Sequence, residues 1–85
     1  MQLEDLQRVI EQGLPGSKVM VSGDGSHFQA TIINEAFEGK SLVQKQKMVY
    51  GTLGDRISSG EIHALSIKTY TPKEWEEAEK LHILQ

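Results

Sequence analysis

No cysteine occurs anywhere in these 85 residues, so whatever the chain folds into must be held by packed side chains alone. Neither a disulfide framework nor a thiolate metal site can be assembled from it. A chain of this length makes one domain, near the lower limit of what folds unaided, and buries only about 60% of its unfolded surface. The core must come from the 38% of residues that are hydrophobic, and their spacing therefore decides the fold.

Leu3, Leu6, Val9, Ile10 and Leu14 recur at helical intervals, with Glu4 and Asp5 in the first turn, where the helix dipole favours negative charge. Gly13, Pro15 and Gly16 stop that helix. Lys18 to Ser22 alternates around Val19 and Val21 and reads as a short strand. Gly23-Asp24-Gly25-Ser26 is a turn signal, because glycine accepts positive φ and Asp and Ser bond the local backbone. Beyond it Phe28, Ala30 and Ile32 alternate with His27, Gln29 and Thr31, the period of a strand with one buried face. The two strands are expected to form an antiparallel hairpin, with His27 beside the turn, exposed and opposite in parity to Phe28.

Phe37 to Lys40 reads as a connection, and Ser41 as the N-cap of a central helix. Leu42, Val49, Leu53 and Ile57 mark its expected apolar stripe, widened by Val43 and Tyr50, with Lys45 and Lys47 mostly off it. Gly51 and Gly54 each weaken a helix by ~1 kcal/mol relative to alanine, which predicts a kink or an early end; Ser58-Ser59-Gly60 closes the segment. Ala64 to Tyr70 is a third strand with Leu65 and Ile67 inward. Thr71-Pro72-Lys73-Glu74 combines an N-cap, a proline at the first helical position and a capping-box glutamate. Trp75 and Ala78 are expected to pack the last helix, and Leu81 to Gln85 to fray. The predicted class is α+β, in the order α-β-β-α-β-α, a three-stranded sheet with helices packed on one face.

The net charge of -3 weighs against a general nucleic-acid binder, whose affinity rests on neutralising phosphates. The charge is uneven, however: Lys40, Lys45, Lys47 and Arg56 stand against Asp55 alone in that stretch. Such a set could meet phosphates, dock an acidic partner or remain a solvated face. Met1 to Asp5 lacks the basic and apolar regions of a signal peptide, and no stretch is apolar for the ~18 residues of a membrane span. The expectation is a cytoplasmic protein without membrane association.

His27 and His63 each offer a neutral imidazole nitrogen, a borderline metal ligand. Read from the residues alone, the commoner outcome is a solvated histidine, or, for His63, one bonding local backbone at a strand entrance. His82 reads as solvated. Gly51-Thr52-Leu53-Gly54 has the spacing of the loop with which KH domains clamp a nucleic-acid backbone, but Leu53 belongs to the apolar stripe, which favours a structural role. Nothing supports an enzyme: no cysteine nucleophile, no serine elbow, and in Asp24 with His27 only two neighbouring turn residues.

Three stretches together resemble the BolA family, particularly its short YrbA-type branch. They are Val21-Ser22-Gly23-Asp24-Gly25-Ser26-His27-Phe28; Phe37-x-Gly39 followed by Lys45-Gln46-Lys47-x-Val49-Tyr50 and Leu53; and Ile62-His63-Ala64-Leu65-Ser66-Ile67-Lys68-Thr69-Tyr70-Thr71-Pro72-x-Glu74-Trp75. The central helix in that family often carries Arg-His-Arg where this chain has Lys45-Gln46-Lys47, which keeps the charges and loses a histidine. The resemblance implies a fold related to the type II KH domain. It also implies partnership with a monothiol glutaredoxin, with a glutathione-dependent [2Fe-2S] cluster shared between the two proteins, and a part in iron–sulfur assembly or trafficking. DNA-binding transcriptional regulation is the other activity it implies. His63 matches the family's histidine after the glycine turn, and His27 falls at a position variable between cysteine and histidine. Lys40, Lys45, Lys47, Arg56 and Lys68 are the candidates for contacting nucleic acid or a partner. Both thiolates of a shared cluster must come from outside, so the isolated chain would hold no cofactor; it is expected to be a monomer.

Overall fold

In the computed structural model, which describes residues 2–25, 27–60, 62 and 64–84, the elements follow in the expected order. They are α1 (Leu3–Gly13), β1 (Lys18–Gly23), β2 (His27–Ile33), a 3-10 turn (Glu35–Phe37), α2 (Leu42–Leu53), β3 (Ala64–Tyr70) and α3 (Pro72–Leu84). β1 and β2 form the expected antiparallel hairpin, pairing Val19 with Ile32 and Val21 with Ala30. β3 lies on the other side of β2 and runs parallel to it, Phe28 opposite Leu65 and Ala30 opposite Ile67. Parallel neighbours need a long crossover, and the segment carrying α2 supplies it.

Strand parity places Val19, Phe28, Ala30 and Ile32 on one face of the sheet. There they meet Leu6 and Ile10 of α1 and Val49 and Leu53 of α2, together with Phe37 and Ile62, in one buried cluster. Leu65 and Ile67 pack against that cluster partly buried, as expected. Phe37 and Ile62 are fully enclosed, although both sit in connections. Asn34 explains the first case. It is itself buried; its amide nitrogen donates to Ser17 Oγ at 2.7 Å and its side-chain oxygen accepts from the Ala36 N–H at 2.8 Å. That oxygen caps the 3-10 turn and swings Phe37 inward, so the expected plain connection is a structured one.

Of the apolar stripe expected along α2, Val49 and Leu53 are fully buried and the remainder is not. Leu42, Val43 and Tyr50 are 65%, 60% and 40% exposed, and Ile57, beyond the helix, is 40% exposed. The buried arc instead runs through Lys45, Val49 and Leu53, with the Lys45 side chain only 15% exposed. Residues four apart share a helix face, so an arc that takes Val49 and Leu53 into the core also takes the aliphatic stem of Lys45, whose ammonium reaches out at the edge. The helix begins with the expected Ser41 cap, completed into a reciprocal box by Gln44. It ends early, as the glycines predicted, at Gly54 with φ +60°.

α1 and α2 meet closely at Gly13. A Cβ placed there would lie 2.5 Å from Thr52 Cγ2 and 3.2 Å from Thr52 Cα. Alanine in place of Gly13 would gain up to ~1 kcal/mol of helix propensity and yet should destabilise the protein by about 1–2 kcal/mol, because the two helices must part. Urea unfolding checks the sign: a stabilised Gly13→Ala variant would contradict this contact.

The reciprocal cap expected at α3 is present: the Thr71 N–H donates to Glu74 Oε1 at 2.8 Å and the Glu74 N–H to Thr71 Oγ1 at 3.2 Å. Trp75 stacks edge-on against Tyr70, with ring centroids 5.2 Å apart. The segment expected to fray from Leu81 is helical as far as Leu84, because helix continuation needs only backbone bonds; Gln85 lies outside the described residues. None of the helices is long and apolar enough to cross a membrane, among the described residues.

Candidate metal-ligand and partner-binding site

His27 opens β2 directly after the hairpin turn. The turn is fastened by Asp24, whose carboxylate accepts the His27 N–H at 2.9 Å while the Asp24 N–H donates to the His27 carbonyl at 3.2 Å. These bonds use the His27 backbone and leave its ring in solvent, 79% exposed, with Nδ1 3.9 Å from the Asp24 carboxylate. That separation is too long for a hydrogen bond, so the imidazole nitrogens are accessible to an incoming ligand or metal. His63 lies outside the described residues, as does Ser26. Ala64, the residue after His63 in the chain, is the register partner of His27 across the parallel β2–β3 pair. Among the described residues no three His, Asp or Glu side chains come together as a metal-binding group.

The face of the sheet opposite the core is open toward its His27 end, while Ile33, which parity puts at the other end of this face, is buried. Parity assigns it Ser22 from β1, His27, Gln29 and Thr31 from β2, and Ala64, Ser66 and Lys68 from β3. Ser22, Gln29, Ser66 and Lys68 are exposed. Lys68 thus shares a surface with His27, a grouping that periodicity within each strand could not reveal because it depends on how β3 pairs.

The remaining candidate cations do not share one face. Lys45 and Lys47 are two residues apart and so lie on nearly opposite sides of α2. Lys45 turns to Glu74, with Nζ 3.9 Å from Oε1. Arg56 donates from Nη1 to the Leu53 carbonyl at 3.1 Å, at the C-terminal end of α2. Lys40 and Lys47 are exposed. The single basic surface considered from the sequence is therefore divided, because adjacency in sequence is not adjacency on a helix. The Gly51-Thr52-Leu53-Gly54 segment is built into the packing, as its apolar residue suggested: Leu53 is fully buried and Thr52 bonds the Val49 carbonyl at 2.7 Å.

Glu74 joins α2 to α3. Its carboxyl titrates below the usual range chiefly because it accepts the Thr71 backbone N–H; Lys45 and the Thr71 side chain act in the same direction and partial burial opposes them. A depressed folded pKa means that the stabilisation is present above the ordinary glutamate value, ~4.3, and is lost as pH falls through the lower folded one. Glu74→Gln should lower Tm near neutrality, and the gap from the parent should close as pH falls from about 7 to about 3. Thermal melts across that range test it; a gap that widens in acid would contradict the assignment.

Comparison with known proteins agrees with this architecture. Residues 10–74 match the family described as BolA-like protein, and the chain belongs to that family. It is 48% identical over 82 residues to the acid stress protein IbaG of Escherichia coli (strain K12), covering 96% of this chain and 98% of the relative. It is 38% identical over 55 residues to the DNA-binding transcriptional regulator BolA of the same organism, covering 65% of this chain and 51% of that one. The structure of a BolA homologue from Coxiella burnetii superposes with a TM-score of 0.81 at 43% identity, covering 89% of this chain and 97% of the other. The α+β fold is thus that of the BolA proteins, and the two relatives are named for stress and for regulation, not for an enzymatic reaction.

Proposed function

We propose that this protein is the partner of a monothiol glutaredoxin and co-ligates a glutathione-dependent [2Fe-2S] cluster through His63 and His27, serving iron–sulfur assembly or trafficking. The observation that carries the reading is the β2–β3 register, which sets exposed His27 opposite the residue that follows His63. The donor set fits such a cluster only in company. This chain has imidazoles and no thiol, so glutathione and a partner cysteine would supply the sulfur ligands. Imidazole in place of thiolate raises the potential of a [2Fe-2S] centre relative to all-sulfur ligation. The role of this chain is to offer imidazole nitrogen to the shared cluster, with Asp24 fastening the turn beside His27. No enzymatic step is assigned to it, and the work is placed in the cytoplasm.

Anaerobic reconstitution with a monothiol glutaredoxin and glutathione tests this. Adding the protein should change the visible absorption and circular dichroism from those of the glutaredoxin alone, His63→Ala should abolish the change, and His27→Ala should alter it. An unchanged spectrum on adding the protein, or a His63→Ala complex indistinguishable from the parent's, would count decisively against it.

Duplex-DNA binding is the second reading, motivated by the relative named as a DNA-binding regulator and by exposed Lys40, Lys47 and Lys68. It predicts an affinity that falls linearly in log[salt] and drops on removing those lysines. The division of the basic residues and the net charge of -3 place it behind the first.

A further inference from the structure

Among the described residues, four of the five large exposed hydrophobic side chains, Leu42, Val43, Tyr50 and Ile57, lie on α2 or just beyond it; the fifth, Leu81, is on α3 and 63% exposed. Val43, Lys47, Tyr50 and Gly54 follow one line along α2, at successive steps of four, three and four residues. From Gly39 to Gly54 the chain holds three lysines and no acidic residue. α3 has the opposite character, with Glu74, Glu76, Glu77 and Glu79 against Lys73 and Lys80. Among the described residues no ion pair engages Lys40, Lys47, Glu77 or Glu79.

We infer that the α2 stripe is a docking surface for a second copy of this chain, with α2 of each copy lying against α3 of the other. Charge selects this arrangement. Pairing α2 with α2 would bring Lys47 against its like, whereas α3 offers Leu81 to the apolar stripe and Glu77, one turn before it on the same face, to Lys47. The lengths agree, since helices of 12 and 13 residues span about 18 and 20 Å. The Lys45–Glu74 contact makes α2 and α3 neighbours within one chain, so a two-fold axis can form both α2–α3 contacts at once, as an isologous dimer requires. Few side chains are buried by it, which makes the association weak and dependent on concentration. It uses neither His27 nor His63 and stands apart from the cluster reading.

Sedimentation equilibrium of the full chain over about a hundredfold range of concentration tests the inference. The protein should pass from monomer to dimer, in place of the monomer at all concentrations expected of the isolated chain. Raising salt from ~0.05 to ~0.5 M should weaken the dimer several-fold. Val43→Asp and Leu81→Asp, both at exposed positions and checked for folding by circular dichroism, should each raise the dissociation constant about tenfold or more. A monomer at every concentration, a dimer that salt leaves unchanged or tightens, or a dimer that either variant leaves intact would overturn it.

Discussion

Replacing Phe37 by alanine should cost about 3–5 kcal/mol, in the range of buried aromatic truncations and a large share of the 5–15 kcal/mol that holds a typical small domain together. Phe37 is fully enclosed and, with Phe28, one of the two largest buried side chains among the described residues. It enters the core from a three-residue turn whose geometry is held by Asn34, so the surrounding backbone is tied and can collapse little into the space left behind. Denaturant unfolding should show a lower midpoint with an unchanged slope. A loss below about 1.5 kcal/mol would mean that the site repacks and that Phe37 is not the plug its burial indicates.

Gly23→Ala should cost about 2–4 kcal/mol, part from backbone strain and part from overpacking. Gly23 has φ +149°, and a Cβ there would run into the carbonyl oxygen of His27 and stand 3.0 Å from Phe28 Cα. These are backbone atoms in register with Gly23 itself, so relief requires the hairpin to open. Gly25 is the internal control: it also has positive φ, +96°, but nothing within 4 Å of the added atom. Gly25→Ala should therefore cost only the conformational part, ~1 kcal/mol. Equal losses at the two positions would remove the steric argument. Because the same opening displaces His27, Gly23→Ala should also diminish the spectral change with glutaredoxin and glutathione, while Gly25→Ala should largely keep it.

Much of the fold is legible from local chemistry. The period-two run through Phe28, Ala30 and Ile32, the glycine-rich turn, and the caps at Ser41 and Thr71 each act within a few residues of sequence, and each is found where the pattern places it. Burial in the connections is not legible in that way. Phe37 and Ile62 lie outside regular periodicity, and although the bond of Asn34 to Ala36 is local, its bond to Ser17 exists only once the connection after α1 has come against the end of β2. A polar residue just before an aromatic in a short connection was the available signal.

On the site, the sequence by itself determined the chemistry: imidazole nitrogen, no thiol, and an acidic total with a basic middle. It also determined that His27 would stand beside a hairpin turn, because a turn and strand parity are local properties. Tertiary structure alone decided that β3 runs parallel beside β2, bringing Ala64 opposite His27 and Lys68 onto the same open face. It alone decided which arc of α2 is buried, which turned Lys45 to Glu74 and left Val43 and Tyr50 outside. The physical reason is common to both. A helix or strand pattern records how many faces an element can bury, but the identity of the buried face depends on the neighbours that compete to cover it.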